Sequence, residues 1–84
     1  MSADTQSVLN ELTPIFQNVF ENDELVIHQN TTSADVEGWD SLAHIRLIVS
    51  IERALNIRFA ASEIATLANV GELARVILQK KSAA

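Results

Sequence analysis

At 84 residues the chain has room for one small core, since a polypeptide this short buries only about 60% of the surface its unfolded form exposes. Cysteine is absent, which excludes disulfides, thiolate nucleophiles and cysteine-based zinc sites, and Asp plus Glu exceed Lys plus Arg by 11 to 6, a balance that a nucleic-acid binder with its basic face would not carry. Hydrophobic residues make up 48% of the chain and charged ones 20%, which excludes a disordered tail and describes a chain that folds by itself.

Between Ser7 and Phe20 the apolar residues Val8, Leu9, Leu12, Ile15, Phe16, Val19 and Phe20 recur at spacings of three and four, which predicts a helix with one buried stripe. Pro14 falls inside that stripe and either bends the helix or, with Thr13 as cap, begins a fresh one. From Glu21 to Asp40 the residues Asn22, Asp23, Asn30, Thr31, Thr32, Ser33, Asp35 and Gly38 make a turn-rich, unperiodic segment, read as a long loop. Leu25-Val26-Ile27 lacks a second strand to pair with, so these residues and Val36 are expected to tack the loop onto the core. Connections beyond roughly 12 to 15 residues are uncommon in compact domains and are often functional, which directs attention to where this one ends, at Asp40 and Ser41.

Leu42 to Leu55 suits a second helix, with Ile45, Ile48, Ile51 and Leu55 on the face expected to be buried. Arg46, Ser50 and Arg53 form the opposite strip, flanked by Leu42, Ala43 and Val49. Exposed Leu42 and Val49 beside two arginines resemble a partner-binding surface, against the plainer reading of a solvated face with scattered apolar residues. Asn56 to Ala61 is a connection in which Ile57 and Phe59 alternate with polar residues and Phe59 is expected in the core. Ser62 to Leu67 is long enough for one short helix, held by Ile64 and Leu67. Asn69 and Glu72 carry the spacing of a capping box, Val70, Leu73, Ala74 and Ile77 give the stripe that follows, and Lys80 and Lys81 place positive charge at the helix end. The expected fold is all-α, a small four-helix bundle of three main helices and one short one. It forms a single domain over residues 1–84, with its core roughly from 5 to 80 and frayed ends. No run approaches the roughly 18 apolar residues of a membrane span and Met1-Ser2-Ala3-Asp4 lacks the parts of a signal peptide, so a cytoplasmic protein is expected.

Ser41, with Asp40 adjacent and His44 three residues on, supplies the names of a catalytic set, but all three sit on one helical turn without a glycine-rich elbow or a second donor loop. No catalytic residue is expected, and His44 reads as a half-buried side chain near the helix start. His28 and His44 lie far apart, and Asp35, Glu37 and Asp40 lack the spacing of a calcium loop, so no metal site is expected. Asn30-Thr31-Thr32 matches a glycosylation acceptor by accident, and Trp39 reads as an anchor that holds Ser41 in place. At a helix start Ser41 lies beside unpaired N–H groups with partial positive charge, where an anionic adduct is favoured.

The segment Gly38-Trp39-Asp40-Ser41-Leu42, followed by its apolar helix, resembles the attachment region of an acyl carrier protein, in which the serine of an Asp-Ser-Leu motif receives 4'-phosphopantetheine. The resemblance runs from Ser7 to Lys80 and includes the family's order of elements. It implies that a phosphopantetheinyl transferase uses coenzyme A to join the arm to the Ser41 hydroxyl, between Asp40 and Leu42, through a phosphodiester. The arm's thiol would carry acyl cargo as a thioester. The protein itself would be a monomer without enzymatic activity that presents cargo to acyl-loading, ketosynthase or acyltransferase-type enzymes of fatty acid or polyketide biosynthesis. An aminoacyl or peptidyl carrier is the near alternative, and a helical interaction module without a prosthetic group the distant one. In fatty acid carriers the helix after the serine is rich in acids, whereas the outward positions here include Ala43, Arg46, Val49 and Arg53, with Glu52 alone acidic. These five residues are the expected partner-binding set, and their charge implies dedicated partners in a separate pathway.

Overall fold

The first apolar stripe winds into α1 (Thr5–Val19), in a computed structural model of the chain that describes residues 5–65 and 67–83. Among the described residues three further α-helices follow, α2 (Ser41–Leu55), the short α3 (Ala61–Ala65) and α4 (Val70–Ala83), with a single 3-10 turn (Ser33–Asp35) in the loop before α2. α1 continues through Pro14, so there is no fresh start at Thr13. Pro14 is exposed and offers no N–H to the preceding turn, while the neighbouring Thr13 hydroxyl donates to the Leu9 carbonyl at 2.8 Å. The buried side of α1, Val8, Leu9, Leu12 and Phe16, packs against both α2 and α4. From α4 the core receives Val70, Leu73, Ala74 and Ile77. Each fully buried Leu, Ile or Phe contributes about 1.5–3 kcal/mol relative to exposure, so these contacts carry most of the stability of so small a domain.

α2 corrects one expectation. Ile48 and Ile51 are buried and Leu55 is packed against the core, but Ile45 is 57% exposed and Leu47 is fully buried in its stead. The inward arc of α2 is centred on His44, Ile48 and Ile51, which leaves Ile45 on the rim beside Leu42 and Val49. Its ends are well capped: Asp40 Oδ1 accepts from the Ala43 N–H at 2.8 Å, and Asn56 adopts the left-handed conformation (φ 56°) with its N–H on the Glu52 carbonyl.

The long loop is fastened by Ile27 and Val36, both buried, and by partly buried Leu25, whereas Val26 faces solvent at 64% exposure instead of holding the loop. Its middle completes α4. The carbonyl of Thr31 accepts from the Val70 N–H at 2.8 Å and that of Gln29 from the Gly71 N–H at 2.7 Å, so two donors of the first turn are satisfied by loop backbone. Gly71 is required for this approach, because a Cβ there would meet the Gln29 oxygen at 2.6 Å. Asn69 Oδ1 accepts from the Glu72 N–H at 2.9 Å as expected, but the Glu72 carboxylate takes the N–H of Ala68, one residue before the position a capping box uses. Phe59 is half-buried at the core's edge, with the Lys80 ammonium 5.6 Å over its ring. α3 stops at Ala65, so Leu67 packs against the core from the connection that follows. Lys80 pairs with Glu63 at 2.8 Å and Lys81 with Glu11 at 2.6 Å, tying α4 to α3 and to α1. α4 reaches Ala83, and the expectations for Met1 to Asp4 and for Ala84 lie outside the described residues. Among the described residues no helix is long and apolar enough to cross a membrane.

Candidate functional site

Three aromatic side chains position the start of α2. Trp39 meets Phe16 edge-on (5.5 Å between centroids, 78°) and Phe20 at a tilt (5.8 Å, 49°), which pins the end of the loop to α1. Gly38 supplies the turn that delivers Trp39, at φ 88°, and its carbonyl accepts from the Asp40 N–H at 3.0 Å. With Trp39 held and Asp40 capping, Ser41 is the first residue of α2, and it is exposed. The Asp40 carboxylate occupies the Ala43 N–H and the Asp40 carbonyl the His44 N–H, at 2.8 and 2.9 Å. No described residue accepts from the amides of Ser41 and Leu42, which cannot find partners inside their own helix. An exposed hydroxyl beside two open donors suits an anionic adduct, which the positive end of a fifteen-residue helix favours.

Ser41 stands on the rim of a cavity of about 580 Å³ between α2, α3 and the segment before α4. Trp39, His44, Ile45, Ile64, Leu67 and Leu73 give it a largely apolar wall. His44 spans that wall. The Trp39 indole N–H donates to His44 Nδ1 at 3.1 Å with the two rings stacked, and His44 Nε2 lies 3.4 Å from the Ile64 carbonyl of α3. The Ser, His and Asp set is thereby taken apart, since both imidazole nitrogens and the Asp40 carboxylate are engaged with other groups.

Of the residues singled out for partners, Leu42, Arg46, Val49 and Arg53 share the exposed face of α2, and Ile45 joins them. Among the described residues Arg46 and Arg53 have no ion-pair partner. Ala43 is turned partly inward, and Glu52 is partly buried with its carboxylate accepting the Phe59 N–H at 2.9 Å. The cavity and the His44 bridge escape sequence reasoning, because both depend on α3 lying over the start of α2. The one local signal is a tryptophan before the helix with a histidine one turn inside it.

Comparison with known proteins agrees with this geometry. The family described as a phosphopantetheine attachment site matches residues 10–77. Among solved structures the chain is similar to the solution NMR structure of a holo acyl carrier protein from Geobacter metallireducens, with a TM-score of 0.86 and 43% identity over 90% of this chain and 87% of that one. No curated protein sequence matches.

Proposed function

The chain belongs to the phosphopantetheine attachment family and is an acyl carrier protein, and from that premise we propose that Ser41 is the residue that carries the arm. A carrier is not an enzyme. Its cofactor is covalently attached 4'-phosphopantetheine, whose thiol supplies the thioester chemistry that a cysteine-free chain lacks. What carries the assignment is the position of Ser41: an exposed hydroxyl at the first residue of a capped helix, beside two open backbone donors and on the rim of the apolar cavity. Asp40 and Leu42 flank the attachment, Asp40 by capping the helix and Leu42 by offering an apolar contact to the transferase. The cavity shelters cargo that the arm folds back.

Partners beyond the transferase dock on the outward face of α2. Leu42, Ile45 and Val49 form its apolar ridge, Arg46 and Arg53 give it positive charge, and Ala43 and Glu52 border it. This fits acyl-loading and condensing enzymes of a dedicated biosynthetic pathway in the cytoplasm, with complementary acidic surfaces. Incubation with coenzyme A and a broad phosphopantetheinyl transferase is expected to add the mass of one phosphopantetheine to the wild type and none to Ser41→Ala. An unmodified wild type, or a modified Ser41→Ala, would remove the assignment.

A further inference from the structure

We propose that His44 is a positioning residue which, as the neutral Nε2–H tautomer, straps α3 to the Trp39 segment across the cavity wall, and that uptake of a second proton releases the strap. The tautomer follows from donor bookkeeping. An indole N–H can only donate, so the Nδ1 atom it reaches at 3.1 Å must be the bare, accepting nitrogen. The ring proton therefore sits on Nε2, which lies 3.4 Å from the Ile64 carbonyl and donates to it. That carbonyl lies in the last turn of the five-residue α3, where a helix has no amide of its own to offer it. One imidazole thus joins three elements: the loop end through Trp39, its own α2, and α3 through Ile64.

The strap is one of several ties on a short helix. α3 is too short to be stable alone, and its fastenings include the Glu63 and Lys80 pair at the surface and the packing of Ile64. A doubly protonated imidazole has two donors and no acceptor, so a proton placed on Nδ1 would face the Trp39 N–H as donor against donor. The bond to Trp39 then breaks while Nε2–H keeps its donor for the Ile64 carbonyl, so the strap comes undone at its Trp39 end. The charged groups on the surrounding elements do not stand in for it. Asp40, at the cavity rim, is committed to the Ala43 N–H; Glu63 of α3 and Lys80 of α4 pair with each other; and Phe16 of α1, with Phe20 just beyond it, meets Trp39 through an uncharged ring. Because Trp39, His44 and Ile64 all line the cavity beside Ser41, the strap sets how firmly that cavity is closed. The bridge stands on the fold alone; only its effect on cargo rests on the Ser41 assignment, which mass analysis tests separately.

The test uses the purified full chain, labelled with ¹⁵N. It has two histidines and one tryptophan, so the signals are separable. At neutral pH, long-range correlations of the His44 ring are expected to show the Nε2–H tautomer, with slow solvent exchange of the Trp39 indole proton. Exchange is compared with the intrinsic rate at each pH. On acidification, protection of the indole proton should fall about tenfold while that of the α3 amides holds. His44→Asn keeps an acceptor near the Nδ1 position but cannot titrate, and should retain indole protection across the same range. His44→Gln keeps a donor near Nε2 and should protect α3 without protecting the indole. An Nδ1–H tautomer in the wild type, or an acid response that survives in His44→Asn, overturns the proposal, and neither result depends on whether the arm is attached.

Discussion

Gly71 sits beneath the Gln29 carbonyl, which its N–H reaches at 2.7 Å, and an added Cβ would have to displace backbone, since the atom it meets at 2.6 Å is that same oxygen. Gly71→Ala is therefore expected to destabilise the protein by about 1–3 kcal/mol, despite the better helix propensity of alanine. Urea denaturation followed by circular dichroism measures it; an unchanged or raised midpoint would show that the loop yields without cost. Gly38 is a different case. It has open space around it, and its positive φ is what a side chain would strain. Ser41 differs from both in needing little from the core, since its placement comes from Trp39 before it and Asp40 as cap.

At the scale of the element, α3, with five residues, is the shortest of the four α-helices among the described residues. The ammonium of Lys80, hydrogen-bonded to Glu63, and then the Ala60 N–H hold the Glu63 carboxyl below its ordinary value. A carboxylate depressed in the folded state contributes stability above its unfolded pKa, and that contribution disappears as pH falls through the folded value. Glu63→Gln should accordingly be less stable than the wild type at neutral pH, with the difference closing in acid, as pH falls through the lowered folded-state pKa. Denaturation at neutral and at acid pH reads it, and a gap that persists in acid would assign the effect to packing. The helices themselves were legible from periodicity: α1, α2 and α4 follow stripes of apolar residues, and α2 begins where the loop's turn residues end. What was not legible was the rotation of α2 by one edge. Its apolar arc is broad enough to bury either Ile45 or Leu47, and the burial of Leu47 goes with His44 facing Trp39 and the Ile64 carbonyl, long-range contacts that no apolar pattern on α2 encodes. Of the site, the serine and its cap could be read locally. The cavity could not, because no local pattern says that α3 lies over α2.

Over the whole molecule, charge is unevenly spent. Two of the six cations, Lys80 and Lys81, are paired within the fold, whereas Arg46 and Arg53 stand on an apolar ridge next to Ser41 in a chain of net charge −5. A face of opposite sign to its own protein steers a partner toward one orientation and repels the rest. Arg46→Glu with Arg53→Glu is expected to slow association with a purified loading enzyme by roughly tenfold at low salt, with less change at high salt and unaltered circular dichroism. Equal rates would move the docking face elsewhere. Trp39 adds a practical consequence. It is the sole tryptophan, the chain has no tyrosine, and the ring lies against Phe16, Phe20 and His44 two residues before the serine. The protein's ultraviolet emission therefore comes from one ring two residues from Ser41, and any event at that serine can be timed by fluorescence in unlabelled material.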